Sequence, residues 1–504
     1  MLILSLDRGR RVSRASTWPL RAWPAVRAGA VAAAAALAAC ALPACRCAGA
    51  GSDAATAGDA AGNDAAAAAT DAATPPGDAG PPCTTLLVEP VSAASVLAPP
   101  GGAVPAAGAP FDVAATGVSV VRVSDAADPG ATSSDYTNGY SRWSPASWDG
   151  SYVVAFGTDG LSVVYRLSDR TIVRALDVGE PNELQWDRSG APGGATRLYY
   201  RTGAQLRRVD VLSGADALVH DFTADFPGAL AVLNGVEGAP SNDMSTWAFQ
   251  VCAGMDSGGQ CLGLMDIVSY DLGADALIAR LSDTQPAIPT PNFVDVSPSG
   301  ARVLVGSCKV DSTTPEPWNG PWAWSPDFSA RVRAGTNCDH SGWAWGAAGE
   351  EYYVTYDSCG AGNDEVTPTC DYIMAVNVAD PAGWDARIGV LYQGDLGWGN
   401  STHFGRVYEP SVAGWAFVST YTDSETNWGA NQLFFLELVP EALGPRVLRV
   451  APSMDAYVDY WSEGFASLDF AAGHVYWGAN WNGAAELELY RATLCDAWWE
   501  AAAR

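Results

Sequence analysis

The feature that most constrains the fold of this chain is a repeated pattern of short β-rich runs. From about residue 113, these runs alternate with turns rich in Gly, Asp, Ser and Pro, and no long stretch has a helical period. The pattern recurs every roughly 40–60 residues, the range in which repeats form the blades of β-propellers. Each unit is a four-stranded meander that needs neighbours to cover both of its faces, and a ring of blades supplies those neighbours.

The pattern predicts an all-β fold, a β-propeller of seven four-stranded blades. Six or eight blades are the alternatives, because the first strand of the third unit is indistinct. The last unit supplies only three strands, whereas the run ATGVSVVRVSD at 114–124 belongs to no unit. We therefore expect this N-terminal strand to complete the last blade and close the ring, which removes exposed sheet edges. The units span residues 140–178, 182–222, 235–282, 292–335, 338–394, 402–452 and 460–494.

Residues 1–39 have the pattern of a signal peptide. Six arginines against one aspartate precede the apolar run AGAVAAAAALAAC at 28–40, which is too short to span a membrane. The run ends in LAAC at Cys40, and LPAC at Cys45 is a weaker second candidate. An ordinary signal peptide that happens to contain a cysteine is the alternative interpretation.

The LAAC ending resembles the lipobox of bacterial lipoproteins, in which a leucine and two small residues precede a cysteine. The resemblance implies that the thiol of Cys40 is diacylated and that the signal peptide is cut before it. Several acyl chains hold a protein firmly on a bilayer. Because alanine follows Cys40, the resemblance also implies an outer-membrane location, on the periplasmic or the cell-surface face.

Residues 40–82 are predicted to be a disordered tether. They consist almost entirely of Ala, Gly, Asp, Thr and Pro and offer little to bury in a core. The folded domain is predicted at 83–504, with its blades at about 113–495. A tether of this length would let the domain stand off the membrane.

The net charge limits the partners of this chain. The formal value of −28 disfavours nucleic acid, anionic membrane surfaces and polyanionic glycans. The sequence contains no P-loop, dinucleotide fingerprint, GxSxG or HExxH motif. The predicted partners are the membrane, through the N-terminal lipid, and a glycan or an envelope or secreted protein.

Eight cysteines lie from residue 83 onward, an even number that suits disulfides in an exported protein. Two predicted pairs, Cys252–Cys261 and Cys359–Cys370, would staple hairpins. Cys83–Cys495 would tie the two ends beside the ring closure, and Cys308–Cys338 would join the fourth and fifth units. A zinc site is the competing interpretation, although no CxxC pair is present.

Two of the four histidines fall at equivalent places in the repeat. Counting back five residues from the aligned first turn reaches His340, His403 and Glu463 in three consecutive units. Because the first strand of each blade lines the central channel, we expect these side chains to converge at one mouth. Two imidazoles and a carboxylate suit a divalent transition metal, with Asp339 as a candidate fourth ligand. The alternative is that both histidines hydrogen-bond to neighbouring backbone.

Tryptophans beside Gly and Asn in the loops suggest a second kind of site. Trp398, Trp428 and Trp481 are the candidates for stacking on neutral sugars, because flat aromatic rings next to amide donors suit a sugar face. The alternative is that these rings pack between blades.

Short runs carry two resemblances to known propellers. The turns SPSG and WSP resemble the WSPDG turn of TolB-type, WD40-like repeats. In the C-terminal half, THFGRVYEPSVAGWAFVSTY and YWSEGFASLDFAAGHVYWGANW resemble propellers related to oligogalacturonate lyases. That resemblance implies a manganese ion held in the channel by several histidines and a glutamine. This sequence offers His340 and His403, and Phe465 stands where a further histidine would fit.

Three hypotheses for the function follow. The first is a non-enzymatic binding module for a glycan or a protein partner, which requires no cofactor. The second, implied by the resemblance, is an oligogalacturonate-type polysaccharide lyase or a degenerate relative that depends on a divalent metal, Mn, Ca or Zn. β-Elimination also needs a base and an acceptor for the uronate carboxylate, and Arg406 is the basic residue nearest to the histidines. The third, by analogy with TolB, is an envelope scaffold.

Overall fold

The computed structural model describes residues 87–178, 183–235, 237–256, 259–285, 287–307, 315–336, 340–357 and 370–494. The predicted signal peptide, lipid-attachment residue and tether therefore lie outside the described residues. Within them, no helix combines the length and apolar character needed to cross a membrane.

Seven antiparallel sheets follow one another along the chain as the seven blades of a β-propeller, which confirms the predicted fold and blade number. Blades 1–3 consist of β4 (Tyr136–Thr137), β5 (Tyr152–Gly157), β6 (Ser162–Arg166) and β7 (Thr171–Leu176); β8 (Gln185–Trp186), β9 (Arg197–Thr202), β10 (Gln205–Asp210) and β11 (Asp216–Asp221); and β12 (Ala231–Leu233), β13 (Thr246–Met255), β14 (Cys261–Asp271) and β15 (Ala276–Arg280).

Blades 4 and 5 are complete four-stranded meanders of the same kind. They consist of β16 (Phe293–Val296), β17 (Val303–Gly306), β18 (Pro321–Trp324) and β19 (Arg331–Arg333); and β20 (Ser341–Trp345), β21 (Glu351–Asp357), β22 (Tyr372–Asn377) and β23 (Ile388–Tyr392).

Blades 6 and 7 each gain strands from the N-terminal part of the chain. Blade 6 consists of β24 (Ser401–Phe404), β25 (Trp415–Tyr421), β26 (Gln432–Glu437) and β27 (Arg446–Pro452), with β1 (Val88–Pro90) added at its outer edge. Blade 7 consists of β28 (Ser467–Leu468), β29 (His474–Ala479) and β30 (Glu488–Thr493), followed outward by β3 (Val118–Arg122) and β2 (Pro110–Val113).

The ring closes as the sequence predicts. Strand β3 pairs antiparallel with β30, and Val120 lies opposite Ala492 in a register of four residue pairs. Val120 and Ala492 are both fully buried. The first and last parts of the domain therefore share one sheet, and the ring opens only if this non-local pairing is lost. The outer strands β1 and β2 were not predicted.

The remaining regular structure is short. One α-helical turn, Gln393–Leu396, leads from blade 5 into blade 6. Among the described residues, 3-10 turns occur at Val91–Ala93, Gly194–Thr196, Leu281–Asp283, Gly383–Ala386, Pro410–Val412, Glu441–Leu443 and Tyr460–Ser462.

The inner strands are apolar on both faces because each blade is covered by a blade on either side. In β5, the consecutive residues Val153, Val154 and Ala155 are all buried. Their side chains point to opposite faces of the strand and belong to two different apolar clusters, one around Trp143 and Trp186 and one shared with blade 7. A strand covered on both sides reads as a continuous hydrophobic run, and the sequence YVVAFG has this form.

Because neighbouring strands are antiparallel, the loops that lead into the next blade all emerge on one face of the ring, which we call the upper face. The segments 393–400 and 453–466 are two such loops. Loops between the second and third strands of each blade emerge on the same face. The disulfide Cys252–Cys261, which confirms one predicted pair, joins β13 to β14 beside such a loop. The other three predicted pairs include cysteines outside the described residues.

Candidate metal centre

Three donor side chains from consecutive blades meet at the upper face. His340 lies just before β20, His403 lies within β24, and Glu463 lies in the loop that leads into β28. One ligand atom from each of the three lies within 4.8 Å of the other two. The structure thus brings together the three residues that the five-residue offset selects. Asp339, the fourth candidate, lies outside the described residues.

The contact between His403 and Glu463 has the dimensions of a pair of metal ligands. Nε2 of His403 lies 3.1 Å from Oε2 of Glu463, and both side chains are buried. In a tetrahedral site with bonds of about 2.0–2.1 Å, neighbouring ligand atoms are separated by about 3.4 Å. The same distance also suits a direct hydrogen bond between the two groups.

A backbone hydrogen bond orients His340 so that its other ring nitrogen is free to act as a ligand. Nδ1 lies 2.6 Å from the carbonyl oxygen of Thr402. Because a carbonyl only accepts, Nδ1 carries the hydrogen and donates it, and Nε2 of the neutral ring then holds a lone pair. Metal-binding histidines are commonly oriented by such a bond from the opposite nitrogen. The rings of His340 and His403 lie 3.9 Å apart, centroid to centroid.

Burial sets the protonation states at this site. It lowers the pKa of His340 to about 3, with the neighbouring His403 adding to the effect, and it lowers the pKa of His403 to about 3, with a further contribution from Arg142. Burial also raises the pKa of Glu463 to about 7. Both imidazoles are therefore neutral, as metal coordination requires, and the buried carboxyl group of Glu463 holds its proton up to about neutral pH.

One polar atom of the cluster has no partner. Nδ1 of His403 is buried and makes no hydrogen bond within the described part of the chain. The ring is enclosed by Tyr140, Tyr421 and Phe465, with centroids 5.8, 5.2 and 4.5 Å away. Buried polar groups are nearly always satisfied, and an exception indicates a missing water or ion. Nδ1 points away from Nε2, the atom that contacts Glu463, so the donor set, and not this unsatisfied atom, fits a divalent metal bound in the cluster.

Arg142 lies beside the cluster, and both of its Nη atoms are bonded to protein groups. Beyond β4, the first strand of blade 1 continues irregularly to the bridge Ala146–Val153 and carries Arg142 down the channel. Nη2 of Arg142 lies 2.7 Å from Oε2 of Glu237 and donates to Oγ of Ser341 at 2.5 Å. Nη1 donates to the carbonyl oxygen of Glu237 at 3.1 Å. Arg142 therefore bridges three blades across the channel.

A second buried arginine, Arg406, is also committed to protein contacts. Its Nη1 lies 3.4 Å from Oδ1 of Asp295 and donates to the carbonyl oxygen of Val296 at 2.9 Å. Its Nη2 contacts Oδ1 of Asn242 at 3.4 Å, and the guanidinium lies over the ring of Tyr408. Arg406 thus ties blade 6 to blades 3 and 4.

The three tryptophan candidates occupy different environments. Trp398 is 60% exposed and meets Tyr392 edge-on. Trp428 and Trp481 are buried, and their indole N–H groups donate to the carbonyl oxygens of Asp395 and Gly102. Only Trp398 of the three offers a sugar-sized ring face without rearrangement.

Four residues around the cluster are not selected by the repeat: Tyr140, Arg142, Glu237 and Tyr421. The five-residue offset applied to blade 1 reaches Asn138, which bonds to the backbone of Phe465 beside the cluster, so this signal was available. Tyr140 and Arg142 lie in the run YSRWSP, which looks like an ordinary strand. No periodicity separates a side chain that points into the channel from one that packs in the core.

No protein-family model and no curated protein match this sequence. Among solved structures, an oligogalacturonate lyase from Vibrio parahaemolyticus is 11% identical, with a TM-score of 0.49 and coverage of 82% of this chain and 98% of that one. An oligogalacturonate lyase in complex with manganese is 13% identical, with a TM-score of 0.47 and coverage of 78% and 97%.

Proposed function

We propose that this protein is a binding module whose channel mouth holds a divalent transition metal on His340, His403 and Glu463, and that the bound metal takes part in recognising an external ligand. The convergence of these donors from three blades within 4.8 Å carries the proposal. Two nitrogen donors favour Mn or Zn over Ca, which prefers an all-oxygen set. When bound, the ion would supply a Lewis-acid centre with positions open to ligand oxygen atoms.

The chain's own residues prepare this site for binding. The backbone carbonyl of Thr402 fixes the ring of His340. Tyr140, Tyr421 and Phe465 enclose His403 and exclude water from it. Arg142, beside the cluster, helps to keep both imidazoles neutral.

Binding is favoured over cleavage by the state of the arginines. A uronate lyase needs a base and an acceptor for the substrate carboxylate; a bound divalent ion would serve as the acceptor, but Arg142 and Arg406 are occupied by protein acceptors and are not free to serve as the base. Removing either from its acidic partner would leave a buried carboxylate uncompensated. The net charge of −28 also repels a polyuronate.

Metal removal tests the proposal. We expect protein treated with a chelator and then dialysed to lose ligand binding, and we expect manganese or zinc to restore it, since the open coordination positions would be lost with the metal. The measurement is binding to immobilised polysaccharides and to host envelope proteins, with and without added metal. Ligand binding that is equal in the chelated and metal-loaded forms would contradict a role for the metal.

A metal-dependent lyase is the second candidate, because the same donor cluster would serve it. Incubation of the metal-loaded protein with polygalacturonate, followed by ultraviolet absorbance of the new carbon–carbon double bond, separates the two functions. Steady formation of unsaturated product that stops on chelation would establish the lyase.

We also propose that the protein is anchored to the outer membrane through lipid on Cys40, which would place the propeller at the end of a tether. Intact-mass spectrometry of the protein purified from its host membrane tests this assignment. A mass that corresponds to acylated residues 40–504 supports it, and an unacylated N-terminus at another residue overturns it. A role as an envelope scaffold would require a defined envelope protein that co-purifies with this chain.

A further inference from the structure

The loop that carries Glu463 also presents open aromatic surface. Tyr460, three residues before Glu463, is 44% exposed, and Val458 is exposed beside it. The ring of Tyr460 is held by Trp461 and Phe465, with centroids 5.2 and 5.0 Å away. Phe465 in turn contacts His403. A supported and partly open ring therefore lies close to the candidate metal centre.

The loop is held in this conformation by its own hydrogen bonds. Asp459 caps the 3-10 turn Tyr460–Ser462, accepting from the backbone N–H groups of Trp461 and Ser462, while the Ser462 hydroxyl accepts from the Asp459 N–H group. This reciprocal capping box fixes the direction of the turn. The ring of Tyr460 is thus positioned before any ligand arrives, which lowers the entropic cost of binding.

The protein groups at the mouth are mostly acidic, and a bound divalent ion would offset part of their negative charge. Burial raises the pKa values of three tyrosines at the mouth, Tyr140, Tyr457 and Tyr460. The negative charges of Glu463, Asp459 and Glu237 add to this effect. Arg142, the cation that acts on Tyr140, is already bonded to Glu237. Carboxylates accept hydrogen bonds from hydroxyl groups, whereas they repel uronates and phosphates.

We propose that the ligand of this site is a neutral glycan, with one sugar ring stacked on Tyr460 and its hydroxyl oxygens directed to the metal held by His340, His403 and Glu463. The inference rests on the proposed metal-dependent binding function and names its ligand class. A neutral sugar offers an apolar ring face for Tyr460, oxygen donors for a metal and hydroxyl hydrogens for the carboxylates. A protein partner would need a far larger apolar area than Tyr460 and Val458 expose.

Titration calorimetry of the manganese-loaded full-length mature protein tests the inference. The probes are neutral galactan, mannan, xylan and β-glucan oligosaccharides, set against oligogalacturonate and oligoalginate. We expect one neutral class to bind and the anionic oligosaccharides not to bind. Loss of the stacking ring in Tyr460→Ala should weaken binding about tenfold or more, whereas Tyr460→Phe, which keeps the ring, should bind almost normally.

The matched control is Trp148→Ala, which removes an exposed ring from the loop between β4 and β5, on the face opposite the cluster, and should change affinity less than twofold. Manganese content of each variant, measured in parallel, shows whether a loss of glycan binding comes from loss of the metal or from loss of the stacking ring. If wild type binds manganese but no neutral glycan, prefers the anionic oligosaccharides, or binds only a protein, this inference is overturned and the metal site stands. If Trp398→Ala abolishes binding while Tyr460→Ala does not, the inference is also overturned. If wild type binds no metal, the proposed function itself fails.

Discussion

Replacing Glu463 with glutamine should stabilise the metal-free protein at pH 8. Burial raises the pKa of Glu463 from 4.5 to about 7, so the folded state holds this proton more tightly than the unfolded state does. Wild type then loses stability as the pH rises from about 4.5 to about 7, and the full cost, about 3 kcal/mol, applies above pH 7. Glutamine does not ionise, so the variant does not lose this stability at high pH.

Urea unfolding with a chelator present, at pH 5 and at pH 8, measures the difference between Glu463→Gln and wild type. It should be small at pH 5 and approach about 3 kcal/mol in favour of the variant at pH 8. The histidines, with pKa values of about 3, destabilise the folded state as pH falls from 6.5 towards 3, but they do so in both proteins. Glu486→Gln, at an exposed position, is the matched control and should change little.

Added manganese or zinc should make wild type more stable than Glu463→Gln, because wild type keeps three metal ligands and the variant keeps two good ones. A metal that binds only the folded state stabilises it by mass action. If Glu463→Gln instead destabilises the metal-free protein at pH 8, then Glu463 is an ionised partner of a protonated His403. The cluster would in that case be a structural ion pair rather than a metal centre.

Replacing Arg406 with methionine should destabilise the protein by about 3–5 kcal/mol, since it leaves Asp295 buried without its charged partner. Asp295 also accepts hydrogen bonds from the backbone N–H of Ala239 and from Nε1 of Trp343. The whole group joins blades 3, 4, 5 and 6 across the channel. Equilibrium urea unfolding of Arg406→Met against wild type measures the loss.

Two further variants show whether the loss arises from this pair. Arg406→Met combined with Asp295→Asn should recover part of the stability, because the uncompensated charge is gone. Arg166→Met breaks an exposed ion pair with Asp169 and should cost less than about 1 kcal/mol. A change below about 1 kcal/mol in Arg406→Met, accompanied by loss of ligand binding, would instead make Arg406 a ligand-contacting group and would favour the lyase.

The fold could be predicted because its signals are local and repeated. Each blade repeats a strand and turn pattern along the chain, and the strand at 114–124 stands out in the sequence because no repeat unit contains it. The added strands β1 and β2 could not be predicted in the same way. Val88–Pro90 is three residues long, and its place beside β27 depends on a pairing across more than 350 residues of chain, for which local sequence carries no signal.

The candidate site could be predicted in part for the same reason. His340, His403 and Glu463 share one position in the repeat, so alignment of units brings them together. Arg142 and Glu237 reach the cluster through irregular continuations of inner strands. A periodic sequence pattern does not detect such departures from the repeat. The burial of Trp481 depends on the N-terminal segment, since Gly102 accepts its indole hydrogen bond, whereas the indole of Trp428 donates to Asp395 in the segment between blades 5 and 6.

The most direct test of the account is the metal content of the purified mature protein, measured by elemental mass spectrometry beside a His340→Ala/His403→Ala double variant of equal thermal stability. Both proteins are loaded with manganese or zinc and then dialysed. A metal centre at this site predicts close to one metal ion per chain in wild type and almost none in the double variant. Wild type that retains no more metal than the double variant would contradict it, and His340 and His403 would then be buried blade residues without a metal.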